Sequence, residues 1–78
     1  MKYKAIAKGP DSSFATEVIN YEHVKNVEHA IEEARRDLLA RSVPGATIAL
    51  YTVHKDTDLD LVSKWKVNDN FQIIKISL

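Results

Sequence analysis

The stretch that decides the fold is VKNVEHAIEEARRDLLAR, residues 24–41. Its apolar residues recur at steps of three and four and therefore fall on one stripe of a helix: Val24, Val27, Ile31, Ala34 and Leu38. Polar residues fall on the opposite side, among them His29, Glu32, Glu33 and Arg36. Asn20 or Asn26 is expected to cap the start of this helix. Pro44 and Gly45 are expected to end it after Arg41, so the spacing predicts one amphipathic helix over about residues 24–41.

Five further segments have the composition of β-strands, rich in β-branched and aromatic residues or alternating in polarity. Two precede the helix and three follow it: KYKAIAK (2–8), FATEVINY (14–21), ATIALYTVHK (46–55), LDLVSKWKV (59–67) and FQIIKISL (71–78). Turn-forming residues separate the last three, which should form a meander. The order ββαβββ predicts an α+β fold, a mainly antiparallel five-stranded sheet with one amphipathic helix packed on one face, in a single domain over residues 1–78.

The composition is that of an ordinary globular domain, with 45% hydrophobic and 28% charged residues among 78. Eleven basic and 11 acidic residues give a formal net charge of zero, so any attraction to nucleic acid or to a membrane must come from a local patch. The absence of cysteine excludes disulfides and thiolate chemistry. Because no apolar run is typical of a signal peptide or a membrane span, we expect a cytoplasmic protein with no membrane partner.

No residue pattern indicates catalysis. His29 and Glu33 stand at the i,i+4 spacing of an acid–base pair, but their place on the polar helix face favours a solvated surface pair. The serines lie in no nucleophile motif, and two glycines are too few for a phosphate-cradling loop. We therefore expect a protein that is not an enzyme and that uses no cofactor.

A metal site is not indicated either. Asp56, Asp58 and Asp60 begin like a calcium loop, in which carboxylates alternate. Leu61 stands where that loop needs glycine, and Val67 stands where it needs a bidentate glutamate. An acidic hairpin turn is the favoured interpretation.

A single helix covers only one face of a five-stranded sheet. Strand alternation predicts that the helix packs against Ile48, Leu50, Trp65 and Ile74. The same alternation leaves a second apolar set uncovered: Tyr51, Val53, Val62, Phe71 and Ile73. Large exposed apolar patches mark interfaces, so we expect a small non-catalytic interaction module that homodimerises or binds a partner protein through this face or an edge strand. An accessory or inhibitory protein of a bacterium or its phage would have this size.

Lysines support an alternative function. They cluster on the first and fourth strands, at Lys2, Lys4, Lys8, Lys64 and Lys66. If the two strands bring them together near Tyr51 and Phe71, the sheet presents cations interleaved with aromatic rings, a surface suited to single-stranded nucleic acid. Lysine also protects edge strands from aggregation, and this second interpretation of the first strand stays open.

Part of the chain resembles a known family. The hairpin that begins KYKAIAKGP and the following helix, NVEHAIEEARRDLLA, are similar to the two strands and helix of HicB-type antitoxin domains. The proline-glycine-cysteine segment of that family is absent before the helix. We therefore make no family assignment from it.

Overall fold

The computed structural model describes residues 2–11, 13–41, 43–55 and 57–76. Along the chain its elements are β1 (Lys2–Lys8), β2 (Glu17–Tyr21), α1 (Val27–Arg41), β3 (Thr47–Lys55), β4 (Asp58–Val67) and β5 (Ile73–Lys75). The strands form one sheet in the order β2-β1-β3-β4-β5, and every neighbouring pair is antiparallel. The helix packs on one face of this sheet, so the predicted α+β fold and its ββαβββ order are confirmed.

The helix begins at Val27, three residues later than predicted, and ends at Arg41 as predicted. Asn26 is its N-cap, because its side-chain Oδ1 accepts the His29 N–H at 2.8 Å and its carbonyl accepts the Ala30 N–H at 3.1 Å. Of the two predicted caps, Asn26 is therefore correct. After the helix, Gly45 has a φ of 91°, a conformation that residues with a side chain rarely adopt.

The core lies between α1 and the sheet. Leu38, Ala30 and Ala34 are fully buried on the helix, and Ile48 and Leu50 are fully buried beneath them on β3. Trp65 on β4 belongs to the same cluster, so three of the four predicted contact residues lie beneath the helix and Ile74 does not. Ala5 and Ala7 on β1 add small buried side chains to the same cluster, together with Val67 and Ala46. Four of the five residues predicted for the apolar stripe lie on the helix and pack in or against the core, whereas Val24 precedes the helix but still packs against the core. The prediction omitted Ala30, which is fully buried.

Two strands are shorter than predicted because local turns hold their ends. Strand β2 begins at Glu17, since the Phe14 N–H donates to the Asp11 carbonyl at 3.4 Å and keeps this segment in the loop. Strand β5 begins at Ile73, since the Asn68 side chain accepts the N–H groups of two residues in the preceding turn. The predicted end of β5 at Ser77 and Leu78 lies outside the described residues.

A β-bulge in β4 changes which residues share a face. Leu50 pairs with Ser63, but Tyr51 pairs with Leu61, so Val62 is an extra residue without a cross-strand partner. Val62 packs against the core beneath the helix, and the assignment of Val62 to the uncovered face was wrong. Beyond the bulge, Leu61 lies on the uncovered face instead.

The faces of β5 were also assigned wrongly. Ile73 pairs with Val67, a core residue, and packs on the helix side of the sheet. Ile74 pairs with Lys66 and is 39% exposed on the opposite side. The predicted alternation along β5 is therefore out of step with the observed alternation by one residue. A shift of one residue exchanges the two faces of a strand.

Candidate binding face

The sheet surface opposite α1, called the open face below, is built from alternate residues of the strands. Residues of β1, β3 and β4 that are paired across the sheet form rows on this face. One row is Lys8, Thr47 and Lys66, and the next is Ile6, Ala49 and Lys64. Two further rows follow the bulge: Lys4, Tyr51 and Leu61, then Lys2, Val53 and Leu59. Val18 and Asn20 extend the open face on β2, and Ile74 extends it on β5.

All five lysines proposed for nucleic-acid binding lie on this one face. Lys2, Lys4 and Lys8 are alternate positions of β1, and Lys64 and Lys66 are alternate positions of β4. β3 lies between the two strands and carries Tyr51 into the middle of the lysine group. Among the described residues, none of the ion pairs involves these lysines.

The four rows of the open face that run across β1, β3 and β4 include no carboxylate. Glu17 pairs with Ala7, a core residue, and so lies on the helix side. Asp60 pairs with Thr52 and also belongs to the helix side. A flanking acid, Glu22, lines a hollow at one corner together with Lys2 and Lys4. Although the net charge of the chain is zero, the charges are unevenly distributed. Apart from these five lysines, the chain has six basic residues and 11 acidic ones.

Apolar side chains lie between the lysines. Ala49 is only 7% exposed although it is not part of the core beneath the helix, because its larger neighbours on the open face cover it. Ile6, Ala49 and Tyr51 line a shallow hollow of about 360 Å³ with Lys8 and Lys64. The open face therefore combines cations with apolar and aromatic surface.

The predicted partner-binding set divides between different places. Tyr51 and Val53 lie on the open face as predicted, whereas Val62 and Ile73 lie on the helix side. Phe71 lies in the turn between β4 and β5 and is 61% exposed. Sequence reasoning missed five apolar residues of the open face, which are Ile6, Val18, Leu59, Leu61 and Ile74. The alternation of β1 could have found Ile6, but the register that places Leu61 is not visible in the sequence.

The histidines make local contacts. His54 Nε2 lies 2.6 Å from Asp60 Oδ2, and both side chains are largely exposed. His29 Nε2 lies 3.5 Å from Glu33 Oε1, while its Nδ1 accepts the Lys25 N–H at 3.2 Å. In the described ranges no three histidine or acidic side chains come together as a metal-binding group. Asp56, the first residue of the supposed calcium loop, lies outside the described residues.

The helix side carries a polar network instead. The Tyr21 hydroxyl donates a hydrogen bond to the Asp37 carboxylate, and the Arg41 guanidinium donates to the Asp37 carbonyl at 2.6 Å. Arg41 also forms an ion pair with Glu17 on β2. Burial raises the pKa of Tyr21 above its usual range, and the hydrogen bond to Asp37 raises it further. These contacts attach the edge strand to the helix and leave the open face unobstructed.

Comparison with known proteins does not identify the chain: no family model matches it, and neither a curated protein nor a solved structure does. Over the stretches that the structure describes, no helix is long and apolar enough to cross a membrane. We therefore infer function from the chemistry of the open face.

Proposed function

We propose that this protein is a non-catalytic binding module whose open face takes single-stranded nucleic acid. The observation that carries the proposal is the gathering of five lysines around Tyr51 in four rows of the open face that include no carboxylate. Single strands are bound by a positive groove that follows the phosphates and by aromatic side chains that stack on bases. The open face supplies both kinds of group.

The spacing of the cations suits an extended polyanion. Along a strand, alternate residues are about 7 Å apart, so Lys4 and Lys8 are separated by about 14 Å on β1. β4 lies two strands away, which places Lys64 and Lys66 about 10 Å to the side. A nucleic-acid strand lying along β3 would have lysines on both flanks and Tyr51 beneath its bases.

The same charges argue against a homodimer formed by two open faces. A twofold contact of that kind would place five lysines opposite five more, and the four rows of the opposing face would offer no carboxylate to pair with them. Like charges in an interface are costly, and interface centres are depleted of charged residues. An anionic partner fits this surface better than a second copy of it.

Binding is tested by fluorescence anisotropy with labelled oligonucleotides of about 12 nucleotides, since modules of this kind cover about 4–16 nucleotides. We expect the protein to bind single strands, and the double variant Lys4→Glu/Lys64→Glu to lose binding. Lys25→Glu/Lys75→Glu is the matched control, because Lys25 precedes the helix and Lys75 pairs with Trp65 on the helix side. Circular dichroism establishes that each variant is folded.

Three outcomes would contradict the proposal. One is failure of the wild type to bind any oligonucleotide, and another is an equal loss in the control variant. The third is equal affinity for polyglutamate, which would show that the face selects negative charge alone and would favour an acidic protein as the partner.

The exposed edge of the sheet favours a second candidate function, which is self-association through β2. β2 pairs only with β1 among the described strands, and Val18 on it is 53% exposed. This strand contains neither lysine nor proline, the residues that commonly protect edges. Antiparallel pairing of two β2 strands across a twofold axis would join two sheets and extend the open face over both copies.

Light scattering after gel filtration tests this candidate. Edge pairing predicts about twice the chain mass, and Val18→Lys should return the protein to the monomer. Leu39→Lys is the control, because Leu39 is similarly exposed at 57% but lies on the helix. A wild type that is monomeric across the micromolar range would exclude a stable dimer.

A further inference from the structure

Phe71 has an unfavourable backbone conformation and an exposed aromatic ring. Its φ is 61°, and it is the one non-glycine residue with a positive φ in the described part of the chain. Bulky residues seldom occupy this left-handed region, because the Cβ approaches the backbone carbonyl oxygen. Its side chain is nevertheless 61% exposed, so no burial in the core compensates for the strain.

The turn around Phe71 is held firmly. The Asn68 side-chain oxygen accepts the N–H groups of Asn70 and Gln72, each at 2.9 Å. The Asn68 backbone also accepts the Phe71 N–H at 3.0 Å and donates to the Gln72 carbonyl at 2.9 Å. These bonds fix the backbone on both sides of Phe71. Asparagine tolerates a positive φ better than phenylalanine does, yet Phe71 and not the adjacent Asn70 occupies that position.

The turn lies at the end of the open face that carries Lys8 and Lys66. It follows β4 directly after Lys66 and Val67, and Lys66 shares a row with Lys8 at the end of β1. A single strand lying along the middle of the open face leaves the sheet at this end. Strained residues cluster where a ligand is held, and an exposed aromatic ring is the group on which a base stacks.

We propose that Phe71 is a stacking residue for a base of the single strand that leaves the open face beside Lys8 and Lys66. This inference rests on the proposed function and adds an aromatic contact outside the strands. Tyr51 supplies a ring in the middle of the sheet, and Phe71 supplies one at its end. The occupant is a single-stranded nucleic acid, because the adjoining surface is cationic and both rings are accessible.

The test combines two measurements that should change in opposite directions. Phe71→Asn relieves the backbone strain, so the urea midpoint of unfolding should rise. The same change removes the ring, so the affinity for a 12-nucleotide single strand should fall about tenfold. Phe71→Trp restores a ring and should restore the affinity without raising the midpoint. Leu39→Asn is the control, since it removes an equally exposed apolar side chain from the helix and should leave the affinity unchanged.

The remaining outcomes are distinguishable. If Phe71→Asn binds as well as the wild type while Lys4→Glu/Lys64→Glu does not bind, the stacking inference is wrong and the proposed function stands. If Phe71→Asn lowers the urea midpoint, Phe71 has a structural role and the inference is again overturned. If the wild type binds no single strand, both proposals fail.

Discussion

The hydroxyl of Tyr21 donates a hydrogen bond to the carboxylate of Asp37, and this contact attaches the edge strand β2 to the second half of α1. Arg41 strengthens the attachment by donating to the Asp37 carbonyl and by pairing with Glu17. β2 has only β1 as a neighbour in the described sheet, so these side chains add contacts that the backbone ladder does not provide.

This network predicts a loss of stability in alkaline solution. Burial first, and then the hydrogen bond to Asp37, raise the pKa of Tyr21 above the value of about 10 expected in the unfolded chain. The folded state therefore holds this proton more tightly, and the associated stability is complete below pH 10 and is lost as the pH rises further. Urea midpoints measured from pH 8 to pH 11 should fall above pH 10.

Tyr21→Phe should flatten this alkaline decline, because it removes the hydroxyl whose pKa is raised. At neutral pH, Tyr21→Phe should cost about 1 kcal/mol, the usual worth of one hydrogen bond. An unchanged alkaline decline in Tyr21→Phe would show that another group titrates.

Two adjacent leucines test the orientation of the helix. Leu38 is fully buried against the sheet, whereas Leu39 is 57% exposed. Leu38→Ala should therefore lower the free energy of unfolding by about 2–5 kcal/mol, through lost burial and the cavity that remains. Leu39→Ala is the same chemical change and should cost less than about 0.5 kcal/mol. Chemical denaturation measures both, and similar losses at the two positions would contradict the packing of α1.

Replacing Ser63 by alanine should stabilise the protein. Its hydroxyl is buried on the helix side and has no hydrogen-bond partner among the described residues. A buried polar group without a partner lowers stability, so Ser63→Ala should raise the free energy of unfolding by about 1 kcal/mol. Ser13→Ala is the control, because the exposed Ser13 hydroxyl already donates to Asp11 and its removal should bring no gain. A loss of stability in Ser63→Ala would indicate that the hydroxyl has a partner.

The sequence predicted those parts of the fold that follow from local periodicity. The helix stripe through Ile31, Ala34 and Leu38 has one period over several turns, so its type and buried face could be predicted without knowledge of its neighbours. The alternation of β1 likewise places Lys2, Lys4 and Lys8 on one face. These features depend on residues that are close in the chain.

The errors arose where a non-local pairing decides the outcome. The extra residue Val62 is set by the register between β3 and β4, which no spacing within β4 reveals. The short β5 is set by the Asn68 side chain, which holds Phe71 in a turn although its composition suits a strand. Whether the lysines of β1 lie near Lys64 and Lys66 depends on the order of the strands in the sheet, which could not be predicted from the sequence.

The electrostatic character of the open face leads to the last prediction, which concerns salt. Each phosphate that a lysine contacts releases counterions, so the logarithm of the affinity for a single strand falls linearly with the logarithm of the salt concentration. For single strands the slope is about −0.7 for each phosphate contacted.

The double variant Lys4→Gln/Lys64→Gln removes two charges from opposite flanks of β3, and the slope should therefore become shallower by about 1.4. Lys25→Gln/Lys75→Gln removes the same charge from outside the open face and should keep the wild-type slope. Anisotropy titrations between 50 and 300 mM salt measure all three proteins. Equal slopes in the wild type and in Lys4→Gln/Lys64→Gln would mean that these lysines contact no phosphate, even if the protein binds nucleic acid elsewhere.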